Sequence, residues 1–210
     1  MGDFDFKTLL TEIPKYHRKE PPAVTLDALK RKATAMASRG YVHSETTLKA
    51  LSAYMHGYGV LLSGGMGIGK TMFFATVNPQ PIAILPFSRC YLWKTDALDE
   101  WLAEHQHEEI VLDDLGIASS RGSNYGVQFD CLQYVLDQRL SDARARTHVT
   151  TNCTNEELIE RFDARSVDRL YQLCKCFALP PTESRREATV DWSWIRNSAY
   201  RREIRGEEDL

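Results

Sequence analysis

The hydrophobic positions of this 210-residue chain follow two spacings, one typical of helices and the other typical of strands. The helical spacing predicts helices over Phe4–Ile13, Thr25–Arg39, Ser44–Gly57 and Val127–Arg144, and after the cap residues Thr95 and Thr154. Short apolar runs predict strands over Val60–Leu62, Ile82–Leu85, Cys90–Trp93, Ile110–Leu112, His148–Asn152 and Cys174–Leu179. Because strands and helices take turns along the chain, we expect an α/β fold with a central parallel sheet flanked by helices.

Breaks in this pattern divide the chain into three parts. We expect residues 1–40 to form a helical extension and a linker, because Pro14 ends the first amphipathic segment and Pro21 and Pro22 follow a charged stretch. The α/β domain is predicted over residues 41–190. Residues 191–210 form a charged C-terminal tail.

A glycine-rich turn follows the first predicted strand of the domain. It consists of Gly64, Gly65, Met66, Gly67, Ile68, Gly69, Lys70 and Thr71. This series fits the pattern G-x-x-x-x-G-K-[ST], in which glycines let successive backbone N–H groups point at one phosphate. The pattern predicts a P-loop for ATP, and we expect an exposed Lys70 to reach the β- and γ-phosphates and Thr71 to bind Mg²⁺.

An apolar strand ends in two acids about forty residues after the P-loop. The stretch Glu109–Gly116 reads EIVLDDLG, the form of a Walker B element. A buried parallel strand that delivers acids at its carboxyl end places them where open α/β sheets keep their sites. We therefore predict that Asp113 holds Mg²⁺ through water and that Asp114 orients or deprotonates the attacking water. The small, polar stretch 116–126 is predicted to be a mobile loop beside these acids.

The amino-acid composition does not indicate a function, but it limits how the protein could contact DNA or a membrane. The net charge of -3 gives no global attraction to nucleic acid, so a DNA contact would need a local patch, for which Arg121, Arg144 and Arg146 are candidates. No apolar run approaches the roughly 20 residues that span a bilayer, so we expect no membrane contact. The five cysteines are scattered, which suits a reducing compartment and predicts a cytoplasmic protein.

The ordered motifs GGMGIGKT, IVLDDLG, HVTTN, RSVDRL and ESRR resemble the AAA+ ATPase domain of DnaC-type helicase loaders and IstB-type transposition ATPases. The resemblance covers about residues 45–190. It implies that Asn152 is the sensor 1 residue, that Arg169 is an arginine finger acting on a neighbour's nucleotide, and that Arg186 is the sensor 2 arginine. Arg139 matches a family arginine on the helix before the sensor strand.

The resemblance also implies a function and partners. It predicts an ATP-hydrolysing, Mg²⁺-dependent protein that assembles with copies of itself and acts on DNA, single-stranded DNA in particular, in replication or transposition. Its protein partner would then be a replicative helicase or a transposase. Two other functions stay open on the residues alone: a P-loop kinase for a small molecule or nucleotide, and a nucleotide-gated binding module that hydrolyses little. Asp114, where glutamate is commoner, favours the binding module slightly because aspartate is one methylene shorter.

Overall fold

The computed structural model describes residues 23–87, 95–117, 121–124, 127–141 and 146–181. Its helices are α1 (Leu26–Ser38), α2 (Glu45–Met55), α3 (Lys70–Val77), α4 (Thr95–Glu104), α5 (Cys131–Ser141), α6 (Asn155–Arg161) and α7 (Ala164–Leu173). Its strands are β1 (Gly59–Ser63), β2 (Ala83–Pro86), β3 (Ile110–Leu115), β4 (Arg121–Asn124), β5 (Val127–Asp130), β6 (Thr147–Thr151) and β7 (Cys174–Ala178). The predicted elements over Phe4–Ile13 and Cys90–Trp93 lie outside the described residues.

Five strands form one parallel sheet in the order β2-β3-β6-β1-β7. The register sets Leu61 of β1 opposite Val149 of β6, and Val149 opposite Leu112 of β3. The P-loop strand and the acidic strand therefore flank β6, and the carboxyl ends of all three meet at one edge of the sheet. This arrangement confirms the predicted α/β fold with a central parallel sheet flanked by helices.

Alternating side chains of β1 build two hydrophobic layers, one on each face of the sheet. Val60 and Leu62 pack on the face that α1, α2 and α3 cover, together with Phe73 and Phe74. Leu61 packs on the opposite face with the apolar sides of α4 to α7. Burial on both faces explains why this strand reads as a continuous apolar run. In the part of the chain that the structure describes, no helix is long and apolar enough to cross a membrane.

The stretch between β3 and α5 differs from the prediction. Instead of a loop over 116–126 and a helix from Val127, residues of β4 and β5 pair antiparallel as a hairpin. The helix begins only at Cys131, because the Asp130 carboxylate accepts the backbone N–H groups of Leu132 and Gln133 at 2.8 and 3.0 Å. Asp130 thus caps the helix in the way that short acidic side chains do, and the helix prediction started four residues early.

Arg139 is a buried structural residue on α5. Its side chain is 3% exposed, and its guanidinium donates to Thr147 Oγ1 at 3.0 Å. It also donates to four backbone carbonyls, those of His105, Gln106, Glu108 and Arg146. These carbonyls belong to the segment after α4 and to the residue that enters β6, so Arg139 joins both to α5.

We expect Arg139→Leu to lower the free energy of unfolding by about 3 kcal/mol or more, because it leaves buried carbonyls without donors. Equilibrium denaturation in urea measures this loss. The matched control is Gln138→Leu at the exposed neighbouring position, which should shift stability by less than about 0.5 kcal/mol. Equal midpoints for the two variants would contradict the structural role of Arg139.

Candidate functional site

The glycine turn between β1 and α3 has a backbone that only glycine adopts easily. Gly64, Gly67 and Gly69 have φ values of +144°, +75° and +98°, a region that other residues enter at a cost. A Cβ on Gly64 would also lie 2.6 Å from Ile68 Cδ1. The start of the turn is fixed to the sheet, since Gly64 N–H donates to the Thr151 carbonyl at 3.2 Å. The loop therefore lies directly beside the end of β6.

Lys70, at the start of α3, is enclosed by this loop and by Asn152. Its Nζ donates to the carbonyls of Gly64 and Gly65 at 2.9 and 2.7 Å and to Asn152 Oδ1 at 2.6 Å. These acceptors make Lys70 a buried residue, 6% exposed, so the expectation of an exposed lysine is wrong. The Lys70 ammonium and the Asn152 amide therefore lie together beside the glycine loop.

Thr71 and Asp113, the two residues predicted to bind Mg²⁺, are in direct contact. Thr71 Oγ1 donates to Asp113 Oδ1 at 2.8 Å, and Thr150 Oγ1 donates to the same carboxylate oxygen at 2.6 Å. All three side chains present oxygen, the ligand type that Mg²⁺ prefers. The residues therefore fit this ion, which would take its other ligands from phosphate and water.

Burial shapes the acidity of Asp113, which is 4% exposed. Loss of hydration and the neighbouring charge of Asp114 raise the pKa of this carboxyl, and the hydrogen bonds from Thr150 and Thr71 lower it only in part. The net pKa is above the ordinary value. A buried carboxylate of this kind gains from a nearby cation.

Asp114 occupies a bulge at the end of β3. Its φ is +57°, a left-handed conformation that is uncommon for residues other than glycine. The pairing between β3 and β6 shifts register between Leu112 and Leu115, and Asp114 N–H donates to Thr150 Oγ1 at 2.9 Å. A bulge of this kind redirects a side chain next to an active site. The Thr150 hydroxyl thus donates to the Asp113 carboxylate and accepts from the backbone N–H of Asp114.

Comparison with known proteins identifies the architecture. No family model and no curated protein matches the sequence. The structure is similar to the solved structure of DnaI, with a TM-score of 0.54 and 17% identity over 72% of this chain and 94% of DnaI. A second similar structure is the DnaC helicase loader, with a TM-score of 0.46 and 18% identity over 79% of this chain and 94% of that one.

The likeness to DnaI, together with the sheet order and the glycine loop, decides the fold. This chain has an AAA+-like α/β fold. The fold brings four of the predicted site residues together around one edge of the sheet: Lys70, Thr71, Asp113 and Asn152.

The arginines that the resemblance implies, and Arg165 on the same helix as one of them, have different surroundings. Arg169 on α7 forms an ion pair with Asp137 of α5 in the same chain, and its side chain is 15% exposed. Arg165, one turn earlier on α7, is exposed. Arg186 lies outside the described residues. Of the predicted arginines, Arg139 takes the structural position described above, away from the P-loop.

Arg146, one of the candidate DNA contacts, already binds residues of its own chain. Arg146 pairs with Glu109 at 2.7 Å, donates to the Tyr54 carbonyl at 3.0 Å, and lies 4.8 Å from the centre of the Tyr54 ring. Glu109 also binds His148 at 2.6 Å. Arg146 would have to leave this cluster to reach a phosphate. The side chain of Arg121 and the whole of Arg144 lie outside the described residues.

Sequence reasoning gave no specific contact to three residues of the site. Thr150 and Thr151 belong to the predicted strand over His148–Asn152, whose polar end was expected to place an amide or hydroxyl near the γ-phosphate, and Arg161 had no assigned role. In the structure Thr150 binds both acids, Thr151 Oγ1 donates to the Leu115 carbonyl at 2.7 Å, and Arg161 donates to the Gly116 carbonyl. The signal that finds them is the pairing of β3 with β6, which the linear sequence does not give.

Proposed function

We propose that this protein binds ATP with Mg²⁺, hydrolyses it, and assembles with copies of itself on DNA during replication. The observation that carries the proposal is the hydrogen-bonded series from Lys70 to Asn152 and from Thr71 to Asp113 at one edge of the sheet. These are the side-chain types that phosphoryl transfer requires at these positions of a P-loop protein.

Each residue of this series has a separate role in the proposal. Lys70 holds the β- and γ-phosphate oxygens, for which it exchanges some of its present acceptors. Thr71 and Asp113 hold Mg²⁺, which neutralises charge on the phosphates when it is bound. Asp114 orients the attacking water and accepts its proton. Asn152 positions Lys70 and offers its amide hydrogens to the γ-phosphate.

The replication role is supported by the motifs that resemble those of DnaC-type helicase loaders and by the fold likeness to DnaI. We therefore propose a replicative helicase as the protein partner and single-stranded DNA as the nucleic acid. A role beside a transposase is the related alternative, and the two differ in the partner rather than in the ATP site.

Hydrolysis in this proposal needs an arginine from a neighbouring copy. The resemblance assigned this role to Arg169, and its ion pair with Asp137 would have to open for Arg169 to leave its own chain. Arg165 needs no such step because it is exposed. We therefore propose that α7 supplies the arginine and test both residues, since a guanidinium supplied in trans raises turnover by about 10³ to 10⁵.

The test mixes two inactive variants. Asp114→Asn keeps its arginines but has a poor base, whereas Arg165→Ala keeps its base but lacks one arginine. In a random one-to-one mixture, roughly a quarter of the interfaces join a good active site to a good arginine, so part of the parent ATPase activity should return. The same mixture with Arg169→Ala identifies which arginine acts.

Activity of the parent should also rise faster than linearly with protein concentration, because the site is complete only at an interface. If size measurements show that the mixed variants co-assemble and neither mixture regains activity, the trans role of α7 is wrong. Activity that stays proportional to concentration, and that depends on an added acceptor molecule, would instead support the kinase.

A further inference from the structure

The backbone that follows Asp114 is held by side chains from far along the chain. Asp114 N–H donates to Thr150, Thr151 donates to the Leu115 carbonyl, and Arg161 donates to the Gly116 carbonyl. The turn closes with the Ile117 N–H on the Asp114 carbonyl at 3.4 Å. The two threonines belong to β6, but Arg161 is the last residue of α6, so a separate element holds the far end of this turn.

Gly116 is confined between two side chains. Its φ is +89°, and an added Cβ would lie 2.5 Å from Cys153 Sγ and 3.8 Å from Arg161 Cδ. Cys153 thus contacts one side of the turn while the Arg161 guanidinium binds its carbonyl. The turn cannot shift toward Cys153. The Cys153 thiol also donates to the Gly116 carbonyl at 3.8 Å, but the Arg161 guanidinium binds this oxygen more closely and with a charge-assisted hydrogen bond.

The helix that carries Arg161 starts at the sensor. Thr154 caps α6 two residues after Asn152, and a reciprocal hydrogen-bond pair with Glu157 fixes this start, at 2.7 and 3.2 Å. At its other end, Arg161 reaches the turn beyond Asp114. The short helix α6 therefore connects Asn152, beside Lys70, with the turn that follows Asp114.

We propose that Arg161 is a positioning residue for hydrolysis: it binds the Gly116 carbonyl and so keeps Asp114 in its left-handed conformation. A left-handed aspartate costs about 1 kcal/mol or more relative to the common conformations. Without the guanidinium the turn relaxes, and a shift of about 1 Å at a reacting group can lower turnover by about 10²-fold. This inference rests on the proposed ATPase function, and it assigns to Arg161 no contact with the nucleotide.

The test compares Arg161→Ala and Arg161→Lys with Arg31→Ala, a control at an exposed position of α1. We expect Arg161→Ala to lower kcat about 10-fold or more and to leave the Kd for ATP within about 2-fold. Arg161→Lys should recover part of kcat, because an ammonium can still donate to the carbonyl. A merely structural role would lower the melting temperature and weaken ATP binding as well.

A double variant shows whether Arg161 acts through Asp114. If it does, Arg161→Ala in the Asp114→Asn background should slow turnover no further. Additive effects of the two changes, or parental kcat in Arg161→Ala, would overturn the proposal.

Hydrogen exchange of the Ile117 amide separates this proposal from the ATPase function, because it needs no turnover. We expect faster exchange in Arg161→Ala than in the parent and in Arg31→Ala. Parental exchange would overturn the contact itself. If the parent has no ATPase activity but Ile117 exchanges faster in Arg161→Ala, the contact of Arg161 with the turn stands. The catalytic role of Arg161 and the proposed function are then both wrong.

Discussion

Lys70→Ala is expected to weaken ATP binding by about 100-fold or more while leaving the protein folded. Charge-assisted hydrogen bonds contribute about 1.5–3 kcal/mol each, and the loss of two to phosphate gives this factor. The fold should survive because the acceptors that Lys70 now serves are two loop carbonyls and the Asn152 amide. Water can replace the ammonium at the mouth of the site.

Calorimetric titration with ATP measures this affinity, and circular dichroism follows the melting temperature. Lys49→Ala is the matched control, because Lys49 forms a surface ion pair with Glu45 that contributes little to stability. If Lys70→Ala and Lys49→Ala bind ATP with equal affinity, the assignment of residues 64–71 as an ATP-binding P-loop is wrong.

Asp113→Asn is expected to abolish Mg²⁺-dependent turnover and, at the same time, to raise the melting temperature at neutral pH. The pKa of Asp113 is higher in the folded protein than its ordinary value, because burial disfavours the charged form. The folded state therefore binds its proton more tightly than the unfolded state. As the pH rises through the ordinary pKa of about 4 and then through the raised one, folding loses stability. Asparagine does not ionise, so Asp113→Asn does not lose folding stability in this way as the pH rises.

The gain in melting temperature should disappear in acid, since below the ordinary pKa the carboxyl is protonated in both states. Melting curves of the parent and Asp113→Asn at several pH values without Mg²⁺ measure the difference. Asp168→Asn, at an exposed position of α7, is the control and should show no such trend. A lower melting temperature for Asp113→Asn at neutral pH would mean that hydrogen bonding to the carboxylate outweighs its burial.

The sequence predicts the elements of the site better than the contacts between them. Three features are local patterns: the glycine positions of the P-loop, the acids near the end of β3 and the capping box at Thr154. The structure has each of them where the pattern places it. Local patterns are readable because neighbouring residues alone determine them. The helix predicted from Val127 was wrong, because local sequence does not show whether Asp130 caps a helix or lies inside one.

Contacts across the sheet could not be read in this way. Some contacts depend on which strands are neighbours in the sheet. They are the hydrogen bonds of Thr150 to Asp113 and Asp114, the contact of Lys70 with Asn152, and the hydrogen bond from Arg161 to the Gly116 carbonyl. The predicted exposure of Lys70 was wrong partly for the same reason, because one of its three acceptors, Asn152, is 82 residues away in the sequence. The ion pair of Arg169 with Asp137 likewise joins two helices that are separate in sequence.

The central claim is that Asp113 and Thr71 hold Mg²⁺ beside a P-loop that binds ATP. Calorimetric titration of ATP into the parent and into Asp113→Asn, each with Mg²⁺ and with a chelator, tests it most directly. We predict that Mg²⁺ strengthens ATP binding to the parent by about 10-fold or more and has little effect on Asp113→Asn, because the variant lacks the carboxylate that holds the ion. Equal strengthening of ATP binding by Mg²⁺ in both proteins would contradict the claim.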